Sequence, residues 1–318
     1  AALCFAPGAL AQSPVVISEI LFNPTGTDTP HEYIELRGLP CYVMPEGTFF
    51  VAVDGDFSDS SDRGTIENVF DLSGRKFGTN GYMILLQKGK LYTPNPSATA
   101  LVNFGPGAGW GSGVSSSIGH KGANGKTELD NASATFFLIQ TRFTPEPGDD
   151  IDVDNDGTPD GRYLNWTVLD SLGVLDDSGS GDYAYGAINY KRNSPPGNSA
   201  GALGLVVAIG FTPKYVGRSA NTTGSAQADW VASDDLSSTA PNWILPARTE
   251  PSTFGTRALD HIGSGNFGAL QIRGLVIIHS DGNTAVPEGG STDSYGIGLT
   301  AVPANNANVT VQVAAPAG

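Results

Sequence analysis

The residues with the clearest chemical spacing run Asp152-Val-Asp154-Asn-Asp156-Gly157-Thr158-Pro-Asp160. Aspartates fall at positions 1, 3, 5 and 9 of one loop, with glycine at position 6. Calcium takes about six to eight hard oxygen ligands at short range. Alternate residues of a tight loop can turn several carboxylates toward one ion, and Gly157 admits the sharp turn. Thr158, at position 7, adds its carbonyl oxygen. Position 12 is Tyr163, where an EF-hand loop has a bidentate glutamate. The loop is therefore not a complete EF-hand, and another carboxylate has to close the shell. Asp170, Asp149 and Asp150 are the candidates. The competing reading is a solvated acidic turn. Crowded, uncompensated carboxylates repel one another, which favours a bound cation. Calcium fits better than magnesium, which prefers fewer protein carboxylates and more water.

Other clusters say less. Asp54-Gly-Asp56-Phe-Ser-Asp59-Ser-Ser-Asp62 is looser, and a solvated loop and a second cation site are equally compatible with it. Asp281-Gly-Asn283, near Glu288, reads as turn chemistry. Paired carboxylates such as Glu19, Glu32 and Glu35, with His31 nearby, can do acid–base work. Glu32 and Glu35 would lie on opposite faces of one strand, so edge hydrogen bonds and surface charge are the simpler expectation. None of His31, His120, His261 and His279 has zinc-ligand spacing to another His or Cys. There is no G-x-S-x-G elbow, and no phosphate-binding glycine motif opens a helix. Trp166, Trp230 and Trp243 read as core, while Trp110, in a Gly/Ser-rich loop, is the tryptophan that a sugar-binding reading would use. Asn131, Asn165, Asn221 and Asn308 begin N-x-S/T sequons, which matter only in a secretory eukaryotic host.

The chain that must position these groups has 318 residues, enough for roughly two domains. Its 42 glycines and 21 prolines, against only 17 Lys and Arg, indicate strands and turns rather than long helices. A net charge of −15 repels phosphate backbones and argues against nucleic-acid binding. It suits cation binding and an extracellular setting. The opening AALCFAPGALAQS is small and apolar and ends in Ala9-Leu10-Ala11, the pattern of a secretory cleavage site, so residues 1–11 are expected to be a signal remnant. No apolar run of about 18 residues comes after it, so no membrane span is expected. Cys4 and Cys41 are the two cysteines. Cys41, in LPCYVMP, is expected to be a buried inert thiol, with a Cys4–Cys41 bridge as the alternative.

Strands are predicted at Val15–Phe22, Glu32–Arg37, Thr48–Val53, Tyr82–Gln87 and Ala134–Gln140, with strict alternation along the first and Ile17, Ile34, Val51, Leu85 and Leu138 as core. Trp166–Leu169 and Tyr183–Tyr185 continue the pattern, and residues 191–202 read as a soft boundary. Three further strands are predicted at Gln271–Ile278, Ser294–Leu299 and Asn308–Val313. Many short strands with frequent turns mean an all-β sandwich or barrel.

VVISEILFNPTGTDTPHEYIELRG resembles the opening of bacterial lamin-tail domains, through Glu19, Asn23, Pro24, Glu32, Ile34, Glu35 and Leu36. That resemblance implies an immunoglobulin-like β-sandwich, found in large secreted or surface proteins, with no catalytic motif to carry over. The tail is similar to the start of a Calx-β repeat, through Glu288, Gly289, Gly290, Asp293, Tyr295, Pro303, Val309 and Val311. The expected organisation is a lamin-tail-like sandwich over 12–190, a loop-rich β extension over 191–270 and a partial Calx-β-like domain over 271–318. The expected function is a secreted or cell-surface structural or adhesive module that binds calcium for rigidity, with self-association or extracellular surface components as partners. The alternatives are a non-catalytic accessory region of a larger secreted phosphoesterase or nuclease, a carbohydrate-binding module, and a self-assembling fibre subunit.

Overall fold

Bulky apolar residues on both faces of the predicted strands require sheets covered on two sides, and a computed structural model of the chain shows such sheets. It describes residues 15–57, 63–176, 181–192, 201–234, 240–245, 248–251, 254 and 257–267, with the backbone of 275–279 and 295–299.

Strands are numbered in chain order. The first sheet has the spatial order β17 (Thr249–Glu250), β15 (Trp230–Ser233), β14 (Tyr215–Arg218), β1 (Val16–Leu21), β2 (Tyr33–Arg37), β5 (Tyr82–Leu86), β6 (Thr99–Val102). The second has the order β13 (Leu205–Ile209), β11 (Ile188–Arg192), β9 (Thr167–Leu175), β8 (Ala134–Gln140), β3 (Thr48–Asp54), β4 (Ile66–Asp71), β7 (His120–Gly122). Two-stranded pairs join β10 (Tyr183–Ala184) to β12 (Gly201–Ala202), β16 (Ile244–Leu245) to β18 (Arg257–Ala258), and β19 (Leu275–His279) to β20 (Tyr295–Leu299). The expected signal remnant at 1–11, the turn at Asp281-Gly-Asn283 and the predicted strand at Asn308–Val313 lie outside the described residues. So do the Calx-β-like motif residues, except Tyr295 in β20.

The inner faces of the two sheets share one core. Ile17, Ile34 and Leu85 from the first sheet meet Phe50, Phe136, Leu138 and Leu172 from the second. The outer face of the first sheet is covered by Trp243, Leu245, Leu259, Ile262 and Phe267. Ile151, Tyr163, Trp166 and Tyr185 cover the outer face of the second, over Val51 and Phe137. Removing a buried Leu or Ile side chain from such a core costs about 2–5 kcal/mol.

Four expectations change here. First, strict alternation along β1 fails at a bulge: Ile17 faces Leu36 while Glu19 already faces Glu35. The extra residue, Ser18, turns Ile17 and Ile20 to the same inner core and sends Glu19 and Leu21 outward. Second, no domain boundary falls at residue 190, because β13, β14 and β15 belong to the two main sheets. Third, the ladder is not wholly the antiparallel one that an immunoglobulin-like sandwich implies. Leu172 pairs in parallel with Ile188, and Ile188 pairs in parallel with Leu205. Met83 pairs in parallel with Thr99 in the same way. Such short steps between parallel partners make a coil of stacked rungs, the geometry of a β-solenoid, within an all-β fold. Fourth, Cys41 is not an inert thiol but is disulfide-bonded. Cys4, the only other cysteine, lies outside the described residues.

Candidate metal centre

The aspartate loop is clipped to the lead-in of β4. Gly148 N–H donates to the Ile66 carbonyl at 2.8 Å, Ile66 N–H to the Asp149 carbonyl at 2.8 Å and Ile151 N–H to the Gly64 carbonyl at 3.0 Å. Ile151 is buried in the outer core of the second sheet and anchors the loop. The turn then closes on itself, with Asn155 N–H on the Asp152 carbonyl at 2.8 Å and Asp160 N–H on the Ile151 carbonyl at 2.7 Å. Asn155 and Gly157 take φ of 55° and 85°. At Gly157 a Cβ would also stand 2.6 Å from the Tyr183 ring, so glycine is required twice over.

Asp152, Asp154 and Asp156 each bring a carboxylate oxygen within 4.8 Å of the others. Asp152 is buried, and both its oxygens accept the Gly157 N–H, at 3.2 and 3.0 Å. Its Oδ2 also accepts the Tyr185 hydroxyl at 2.6 Å. Asp154 and Asp156 are exposed and each uses one oxygen to hold the turn, Asp154 on Asp156 N–H at 3.3 Å and Asp156 on Thr158 N–H at 2.7 Å. A carboxylate offers about four lone-pair sites, so all three keep capacity for an ion. The Asn155 Oδ1 of the same loop is buried without a hydrogen-bond partner. Hard oxygens of this kind suit calcium.

The cation against Asp152 is Arg63, whose Nε lies 3.8 Å from Asp152 Oδ2. Its guanidinium is spent elsewhere, donating to the Asn155 and Gly181 carbonyls and lying 5.4 Å over the rings of Phe57 and Tyr183. Burial raises the Asp150 carboxyl above its usual range, and the charges of Asp152 and Asp160 add to this against a hydrogen bond from Asp152 N–H. Burial and Asp152 push the Tyr185 phenol far up, keeping it a donor.

Not every expected ligand joins this group. Asp160 turns back to accept Val153 N–H at 3.2 Å, and Asp150 accepts Asp152 N–H at 2.8 Å. Thr158 is exposed beside the turn. Asp170 is elsewhere: it lies between the two sheets, bonded to Arg218 Nη2 at 2.6 Å and Ile17 N–H at 2.8 Å. It cannot close the shell, because β9 carries it into the core on the other side of the second sheet.

The looser acidic stretch is split in two, and Asp59 and Asp62 lie outside the described residues. Asp54 joins Glu67 and Asp130, and Lys126 sits among them, its Nζ 2.6 Å from Glu67 and 3.0 Å from Asp130. Asp56 instead joins Asp176 and Asp182. Ser133 knits that trio together, its Oγ donating to Asp182 at 3.0 Å and its N–H to Asp56 at 3.3 Å. Burial, then the Asp176 charge, pushes Asp56 up to about 6. No spacing rule reveals Asp176 or Asp182, since they lie far from Asp56 in sequence.

The glutamates expected at the surface are buried. Glu32 accepts Trp110 Nε1–H at 2.6 Å, Gln87 Nε2–H at 2.6 Å and Leu129 N–H at 2.9 Å. Trp110 is therefore fully buried and is no sugar platform. Glu19 and Glu35 face each other across β1 and β2. His120 is buried between the Gly111 carbonyl and Asn68. Among the described residues, no helix is long and apolar enough to cross a membrane. Comparison with known proteins finds no matching family model, curated protein or solved structure.

Proposed function

We propose that this chain is a secreted or cell-surface structural β module that binds calcium in the Asp152–Asp160 loop for rigidity. One observation carries the reading: three carboxylates from alternate positions of a tight, glycine-dependent turn converge within 4.8 Å, and the neighbouring arginine does not hydrogen-bond them. Asp152, Asp154 and Asp156 would hold the ion, with oxygens of the loop backbone and Asn155 completing the shell. The ion would offset the repulsion of the loop. It would tie the β4 lead-in to the β10 region, where Tyr185 already grips Asp152.

The Ala9-Leu10-Ala11 pattern and the acidic composition support an extracellular setting. The lamin-tail resemblance supports reading the antiparallel strands β1–β5 and β8 as an immunoglobulin-like unit from which the parallel coil extends. The buried carboxylates of Glu32 and Asp170 serve structural hydrogen bonds, which supports a non-catalytic role for this stretch.

Titration of the full chain with calcium, followed by calorimetry and thermal melting, tests the proposal. Calcium at about a hundred times its Kd adds about 2.7 kcal/mol to the folded state, so melting should rise by several degrees. Magnesium should do far less, and the Asp154→Asn/Asp156→Asn variant should not respond. Absence of binding heat, with melting unchanged by EDTA, would sink the reading.

A further inference from the structure

Two glutamates on neighbouring strands, both out of reach of water, pose a problem that the fold solves in a specific way. The bulge at Ser18 places Glu19 of β1 directly opposite Glu35 of β2 on the outer face of the first sheet. Both are fully buried. A strap of chain, residues 257–267, closes over them. Its His261 Nε2 lies 3.0 Å from Glu19 Oε2, and its Gly263 N–H donates to Glu35 Oε2 at 2.6 Å. Asn266 adds donations to the Ser18 and Arg218 carbonyls at 3.1 and 3.3 Å. Tyr215, from β14, donates its hydroxyl to the same Glu19 oxygen that meets His261.

The other oxygen of each carboxyl has no such partner. Glu19 Oε1 and Glu35 Oε1 are both buried without a hydrogen bond, and the hydroxyl of Tyr33 makes none of normal geometry. Two ionised carboxylates in this position would each strand an oxygen and repel each other in a low-dielectric site. A proton kept on one of the two removes the repulsion and leaves that carboxyl neutral in its buried site. The arginines near the pair do not do this instead. Arg218 is spent on Asp170, the Ile17 carbonyl and the Gly224 carbonyl, and Arg37 donates to the Thr222 carbonyl.

We propose that the opposed Glu19 and Glu35 retain a single proton in the folded protein, and that this pair, together with His261, is a pH-operated latch fastening the 257–267 strap to the first sheet.

The charged and titratable groups facing the pair all bear on the sign. Burial, then the charge of Glu19, pushes Glu35 well above the usual glutamate range, against smaller opposing effects from Gly263, Ser18 and Arg37. The folded strap therefore keeps a proton that the unfolded chain has already released. That contribution is lost as pH rises. Burial alone would lower His261, but the charge and hydrogen bond of Glu19 outweigh it, with Asp260 adding to them, and its value is raised. Its contribution is present below the ordinary histidine range and is also lost as pH rises. The phenols of Tyr33, Tyr82 and Tyr215 are raised by burial and by these glutamates and stay neutral. Tyr92 packs at the Tyr33 ring edge and turns its hydroxyl to the His31 carbonyl. Both operative groups have the same sign, so the strap is tightest in acid and loosens as pH rises, first above the ordinary glutamate range and again above the ordinary histidine range.

Carboxyl carbon NMR on the full chain, with Glu19→Gln and Glu35→Gln to assign signals, tests the retained proton directly. One carboxyl of the pair should remain protonated well above the usual glutamate range. Hydrogen exchange at Leu259 and Gly263, corrected for intrinsic rates, should lose about tenfold protection per pH unit between the ordinary glutamate range and that titration, the slope for one released proton, and level off beyond it. Glu35→Gln is neutral at every pH and should flatten that dependence, whereas His261→Asn should remove only the histidine part. If both wild-type carboxyls titrate near the ordinary value of about 4.3, no proton is retained and the latch fails. Unchanged pH dependence of exchange in Glu35→Gln would equally overturn the latch.

Discussion

Arg218 and Asp170 meet between the two sheets at 2.6 Å, and both are buried. Arg218 belongs to the first sheet and Asp170 to the second, so the pair ties one to the other. Asp170 also accepts Ile17 and Ser171 N–H, and the guanidinium packs 4.2 Å over the Trp230 ring. Removing one partner of a buried pair costs about 3–5 kcal/mol, whereas replacing both with apolar residues costs far less. Asp170→Asn should therefore shift the urea midpoint sharply downward, and Asp170→Leu/Arg218→Met should recover most of the loss. Calcium binding by folded Asp170→Asn should match wild type, because Asp170 is remote from the loop.

Gly157→Ala tests the loop geometry. It places a Cβ at positive φ and against the Tyr183 ring at once. An alanine at positive φ costs about 1–2 kcal/mol before any clash. The expected result is a weaker calcium response, read by calorimetry, with the two sheets intact by circular dichroism. An unchanged affinity would show that the turn does not set the site.

Long apolar stretches such as Thr48–Asp54 and Ala134–Gln140 were legible as strands, because burial on both faces leaves no polar register to misread. So were Ile17, Ile34, Val51, Leu85 and Leu138 as core, all fully buried. The bulge at Ser18 was not, since alternation carries no mark of one extra residue, and Glu19 and Glu35 then read as surface charge. Nor was the parallel coil: the steps from Leu172 to Ile188 and on to Leu205 leave no repeated motif in side chains that vary from turn to turn. Within the aspartate loop, Asp152, Asp154 and Asp156 follow from local spacing. Tyr185 and Arg63 do not, because they arrive from distant parts of the chain.

Trp110 distinguishes a packing role from recognition. Its indole fills the inner core against the Phe70 ring at 5.2 Å and bonds Glu32. Trp110→Phe removes one hydrogen bond and should cost about 1–3 kcal/mol. Trp110→Ala should cost about 3–5 kcal/mol, seen in denaturant unfolding. A stable Trp110→Ala protein that had lost only glycan binding would contradict this.

Asp56 provides a second pH test with its own window. Its value of about 6 stands above the 3.8 of the free side chain, so the folded state holds a proton that the unfolded state gives up first. Stability from this group is complete in acid and is lost as pH rises from about 4 to about 6. In EDTA, Asp56→Asn should raise the melting temperature at pH 8 and leave it nearly unchanged at pH 4. A lowered melting temperature at pH 8 would count against burial of the charge as the dominant effect.

The parallel rungs at Leu172, Ile188 and Leu205 make chain length in this part of the molecule a counted quantity. Each turn returns the chain in register with the strand before it, so a whole extra turn can be stacked while a partial one cannot. The outermost rung, Leu205–Ile209, has no strand beyond it among the described residues, and Leu205 and Val206 are 47% and 44% exposed. Reach, for such a molecule, is open to change in fixed increments at this edge, with the shared core and the aspartate loop left where they are.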